Sequence, residues 1–184
     1  MTLSRRQFLQ LSSTTLALSA AASSGFALAP KSQRLLVSGY RDQATETQFG
    51  ILVLDSQGAI VADFAVPERV HMADLVPQQR SVLVNSRASG APLRRYDFSG
   101  RLQASLPLPD GLHLEGHAVF SADGQVLYAS ASDYRRGEGR LLVVDANTLQ
   151  LLDIWPTGGV GPHELVRQGD DLYLANTGVR THPD

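Results

Sequence analysis

Three histidines recur along this chain at a spacing of 46 residues, His71, His117 and His163, and their surroundings recur with them. Val70-His71-Met72-Ala73-Asp74-Leu75 leads to Ser81-Val82-Leu83-Val84-Asn85, and Gly116-His117-Ala118-Val119-Phe120 leads to Val126-Leu127-Tyr128-Ala129-Ser130. Pro162-His163-Glu164-Leu165-Val166 leads in the same way to Leu172-Tyr173-Leu174-Ala175-Asn176. A fixed period of this length requires a repeat architecture, because each unit buries its apolar faces only against its neighbours.

A second half-repeat interleaves with the first. Ile51 to Asp55 precedes Ile60 to Val66, Arg94 to Asp97 precedes Leu102 to Leu108, and Leu141 to Asp145 precedes Leu149 to Trp155. In each, an Asp ends one apolar run, turn-forming residues follow, and Pro67, Pro109 or Pro156 closes the unit. These are hairpin signals, and Ala122-Asp123-Gly124 and Gly169-Asp170-Asp171 supply matching turns between the other pairs of runs. No segment after the N-terminus sustains a helical period.

Four short antiparallel strands per period describe a β-propeller blade. A β-sandwich shares the short strands but not the repeated His and Asp marks. The expected fold is therefore all-β, about three and a half blades of four-stranded antiparallel sheet, with boundaries near 34–67, 68–109, 110–156 and an incomplete 157–184. A complete seven-bladed ring at this period needs on the order of 320 residues. The 184-residue chain is accordingly expected to be the N-terminal half of a longer protein.

Ahead of the repeats, Ser4-Arg5-Arg6-Gln7-Phe8-Leu9 opens an uncharged Leu/Ala/Ser/Thr stretch that ends near Ala29. Arg5 and Arg6 form a twin-arginine signature, and the serines and threonines dilute the apolar run below what a membrane span needs. Residues 1–29 are expected to be an export signal engaging the twin-arginine translocase, with residues 30–184 working in the periplasm and holding no membrane span after cleavage. That route carries folded cargo, which permits a cofactor loaded before export.

With 18 acidic residues against 16 basic ones, two of the latter in the signal, the chain has no electrostatic case for nucleic acid. Its lack of cysteine removes disulfides, thiolate metal sites and a Cys nucleophile together.

In a propeller, equivalent positions of successive innermost strands gather at one channel mouth. His71, His117 and His163, with Glu164 beside His163 and His113 four residues before His117, would form a nitrogen-rich site for a transition metal such as iron or copper. A second reading is that each histidine hydrogen-bonds within its own blade and locks adjacent strands. The His113/His117 spacing is of little weight, since it falls where the chain is read as a loop entering a strand. Gly158-Gly159-Val160-Gly161-Pro162 precedes a strand and lacks the Lys-Ser/Thr of a phosphate loop. Asp133 to Arg140 reads as an exposed mixed-charge hairpin.

At Gly116 to Gly124, at Gly159 to Leu165 and at Thr181-His182-Pro183-Asp184, the chain resembles the DUF1513 family of exported, propeller-like bacterial proteins of unassigned function. The resemblance runs from about Gln33 to the end, and Arg69, His71 and Arg87 match the same motif one blade earlier. It adds His182 to the candidate ligands. It also implies a part in iron acquisition, since members are often encoded beside imelysin-like and haem-peroxidase-like periplasmic proteins, and members continue for several blades beyond the Thr-His-Pro-Asp segment.

On the residues themselves, the first functional expectation is a binding protein for a metal or a periplasmic protein partner at the histidine mouth. The alternatives are a propeller enzyme, lactonase-like or quinoprotein-like, with His117, His163 and Glu164 moving protons, and a scaffold without a small-molecule site.

Overall fold

The computed structural model describes residues 34–180, so the export segment with Arg5 and Arg6, and His182, lie outside the described residues. Thirteen strands follow one another, and no helix occurs among the described residues. The first sheet holds β1 (Leu35–Arg41), β2 (Phe49–Asp55) and β3 (Ile60–Val66), in that order. The second holds β4 (Met72–Leu75), β5 (Ser81–Asn85), β6 (Leu93–Asp97) and β7 (Leu102–Leu106). The third holds β8 (Leu112–Phe120), β9 (Val126–Asp133), β10 (Glu138–Asp145) and β11 (Leu151–Pro156). The fourth holds β12 (Pro162–Gln168) and β13 (Asp171–Asn176). Every pairing is antiparallel and joins consecutive strands. The fold is all-β, with four-stranded meanders stacked as successive propeller blades.

Residue choice along β5 explains the stacking. Successive side chains of a strand point to opposite faces. Val82 and Val84 meet Ile51, Val53, Ala62 and Val66 of the first sheet, with Tyr96 closing that layer. Leu83 points the other way, into a layer with Leu93, Leu114, Phe120, Leu127 and Leu142 of the second and third sheets. All five residues of β5 are buried, and its centre is accordingly the apolar run Val82-Leu83-Val84, flanked by Ser81 and Asn85. Full burial of a side chain such as Leu83 is worth about 1.5–3 kcal/mol.

The repeat extends to irregularities. The outer hairpins carry a register shift at Val53/Leu54, at Arg95/Tyr96 and at Val143/Val144, each time just ahead of the Asp that starts the turn. That Asp then holds the turn: Asp55 Oδ1 accepts from the Gln57 and Ala59 amides, and Asp97 Oδ1 from those of Ser99 and Arg101. Asp145 Oδ1 accepts from the Asn147 and Thr148 amides. The first two turns end on a glycine at positive φ, Gly58 and Gly100, whereas the third is one residue longer and places Leu149 there at φ 56°. Leu149 is buried in the core layer, which offsets part of the cost of that backbone conformation.

Contacts between sheets set the relative position of the strands. β1 touches β4, β5 touches β8, and β9 touches β12. β1 therefore stands where β5 and β9 stand, second from the inside of its blade. The inner strands β4, β8 and β12 follow one another around the axis, with β8 touching both of the others.

Candidate metal centre

Each of the three histidines sits where its inner strand departs from a regular ladder. His71 directly precedes β4, and its backbone N–H donates to the Asn85 carbonyl at 2.9 Å. On β8 the pairing passes from Leu114/Ala131 to Ala118/Ala129, so Glu115, Gly116 and His117 together oppose Ser130. Ser130 donates from its hydroxyl to the His117 carbonyl at 3.2 Å. On β12 the pairing passes from Pro162/Asn176 to Glu164/Ala175, which makes His163 the extra residue of a bulge. Bulges re-aim side chains away from the pleat, and here they free His117 and His163 from the in-and-out alternation of their strands.

The result is one cluster built from three successive blades. The coordinating nitrogens of His71, His117 and His163 all lie within 4.8 Å of one another. His71 Nε2 and His117 Nε2 are 3.3 Å apart. The His117 and His163 rings have centroids 4.4 Å apart, and the His71 ring stands edge-on to both, at 5.1 Å and 6.4 Å. The rings thus meet across blades. Glu164 places a carboxylate oxygen 3.6 Å from His117 Nδ1, the nitrogen turned away from His71.

Burial lowers the pKa of His71 below the ordinary imidazole value, and neighbouring His117, Arg87, His163 and Arg69 push it the same way. His117 is lowered mainly by burial; Glu164 opposes this, and His163 and Arg87 add to it. Both shifts favour the neutral ring, the form in which imidazole coordinates metals.

The donor set fits a transition-metal ion. Two nitrogens bound to one tetrahedral ion at about 2.05 Å are about 3.3 Å from each other. The His71/His117 pair already has that separation. The wider pairs need ring movements on the order of 1 Å, within reach of half-exposed side chains. Three imidazoles without thiolate suit zinc, copper, iron(II) or nickel.

Gly116 makes the close approach possible. Its φ of 96° is outside the range of ordinary L-residues, and a Cβ there would stand 2.1 Å from His71 Cδ2 and 2.8 Å from Arg87 Cγ. Behind it lies a buried polar network. Glu115, 2% exposed, accepts from Arg87 Nη2 at 3.0 Å, from Ser132 Oγ at 2.6 Å and from the Tyr134 hydroxyl at 3.4 Å.

His113 is on the same strand as His117 but outside the cluster. It is buried, and its ring packs edge-on against Tyr134 at 5.3 Å. The segment read as a loop is already strand β8, and the bulge at 115–117 separates the two histidines. The hairpin read as exposed is also only partly so. Asp133 is buried and binds the Arg136 amide, and Tyr134 reaches Glu115. Arg87, Glu115, Ser132 and Tyr134 were not among the candidate site residues. Only Arg87 had a signal, its place in the motif around His71.

The sequence profile of DUF1513, described as a protein of unknown function, matches residues 64–184, which include all three clustered histidines. The chain belongs to the DUF1513 family. No curated protein matches it. Among solved structures, it is similar to dihydro-heme d1 dehydrogenase NirN in complex with DHE, at 14% identity and a TM-score of 0.47. That match covers 77% of this DUF1513 chain and 30% of the NirN chain.

Proposed function

We propose that this DUF1513 protein binds one divalent transition-metal ion at the channel mouth through His71, His117 and His163. The observation that carries the proposal is the convergence of three imidazoles from three successive blades, with all coordinating nitrogens within 4.8 Å. Repetition of a motif alone would place a histidine in each blade. It would not bring the rings to coordinating distance of one another, with two of them released by bulges. Glu164 fits the outer partner that metal-bound histidines usually have, holding His117 Nδ1 so that Nε2 faces the ion. Iron is the first candidate, by the family's resemblance-based link to iron acquisition, and copper the second, as the stronger binder in the Irving–Williams order. The Arg5-Arg6 signature supports a periplasmic site for this binding, reached by export through the twin-arginine translocase.

Elemental analysis of the full chain, purified without a histidine tag, is expected to find close to one metal ion per chain. The double variant His71→Ala, His117→Ala should lose it while keeping the β-sheet circular dichroism signal. A wild-type protein that carries no stoichiometric metal and takes up none of iron(II), copper(II), zinc or nickel in calorimetry would overturn the proposal. Retention of a fusion reporter in the cytoplasm on Arg5→Lys, Arg6→Lys would support the export reading, and unchanged export would overturn it.

A further inference from the structure

Resting on the metal reading, we infer that the ion keeps an open position for a planar oxyanion, and that Arg87, anchored on Glu115, binds the outer edge of that anion. Among the described residues three nitrogens converge, which leaves at least one position of a tetrahedral ion that they do not fill. The charges around that position are not balanced. A divalent ion on neutral imidazoles brings two positive charges, and Arg69 and Arg87, both close enough to act on His71, bring two more. Glu115, paired with Arg87, and Glu164, beside His117, remove two. Counted over the described residues, the loaded site is therefore cationic by two charges, at a place partly withdrawn from water, and an anion is the ligand that relieves it.

Arg87 is built for this contact. Its stem runs against Gly116 beside the His71 ring, and one end of its guanidinium is fixed on a buried carboxylate that Ser132 and Tyr134 also hold. The guanidinium fork is planar with five donors, and its geometry matches a carboxylate or carbonate. The pairing with Glu115 fixes its orientation before any ligand arrives.

The test uses cobalt(II), whose visible spectrum reports changes of coordination, loaded into the full chain and titrated with acetate in one series and bicarbonate in another. Wild type should show a saturable spectral change with at least one of the two, and the stronger anion identifies the source as an organic carboxylate or carbonate. Arg87→Gln, and Arg87→Gln with Glu115→Gln to avoid a buried carboxylate that has lost its guanidinium, should bind cobalt as wild type does yet weaken anion binding about tenfold or more. Cobalt binding without any anion-dependent spectral change would overturn this inference and leave the metal reading intact. Equal anion affinity in a folded double variant would also overturn it. Failure to bind cobalt at all would overturn both.

Discussion

The second and fourth sheets each contribute one histidine to the cluster, yet they are held in place by different means. β5 of the second sheet is buried at every residue and packs on both faces, against the first and third sheets. In the fourth sheet, Pro162 and Leu165 are the buried residues, both on β12, and Val166 and Tyr173 are more than half exposed. That sheet is tethered by polar contacts instead. Gly139 of β10 exchanges backbone hydrogen bonds with Gly159 and Thr157, and Arg167 Nε donates to the Phe120 carbonyl of β8. His71 therefore stands on apolar packing, while His163 stands on directional bonds at a partly wet surface. A metal bridging the two would brace the weaker sheet through the stronger one, since binding energy available only to the assembled site adds to its stability.

The sharpest way to break this comparison is to truncate one side chain on each side of it. Leu83→Ala removes a fully buried side chain between two sheets and is expected to cost about 2–5 kcal/mol in urea unfolding. Tyr173→Ser, on the exposed face of β13, is expected to stay within about 0.5 kcal/mol. Similar losses for the two would show that the fourth sheet carries as much of the fold as the second.

A second variant sharpens the comparison at the site itself. Gly116→Ala puts a methyl group into the His71 ring and forces an L-residue to a φ of 96°, so about 1–3 kcal/mol of stability should be lost along with most of the metal affinity. Gly169→Ala in the β12–β13 turn also meets a positive φ, of 61°, but open space. It should lose less than half as much and leave metal binding unchanged, as calorimetry with zinc would show.

How much of this was legible in the sequence follows the distance over which each interaction acts. The 46-residue period, the Asp-led turns and the alternation of Val82, Leu83 and Val84 are local, and they fix the strands and the stacking of blades. The His71/His117/His163 cluster was legible as a candidate because the period itself carries equivalent residues to one place. Glu115 was not, since its partners Arg87, Ser132 and Tyr134 lie 28, 17 and 19 residues away, on other strands, and no spacing announces them. The parting of His113 from His117 depends on the bulge between them. Its only trace in the sequence is Gly116, which reads equally well as part of a turn.

The smallest expected effect separates the two regions by how their hairpins are closed. In the second sheet the β6–β7 turn hangs on Asp97, whose carboxyl pKa is lowered to about 2 by the Ser99 hydroxyl first and by bonds from Arg101 and the Ser99 amide after it. In the fourth sheet the β12–β13 turn is gripped by Arg167, whose Nη1 donates to the Gly169 carbonyl at 2.7 Å. A carboxyl that ionises more readily in the folded chain than in the unfolded one, at about 3.9, stabilises the fold above that value. Its contribution fades as pH falls from about 4 toward 2. Asp97→Asn should therefore lower the urea midpoint slightly at pH 7, with the gap from wild type closing across that acid window. Arg167→Gln should lower it by an amount that does not close there, because a guanidinium stays charged throughout. A gap for Asp97→Asn that persists at pH 2 would mean that the side chain's shape holds the turn, and the two hairpins would then differ in residue but not in physics.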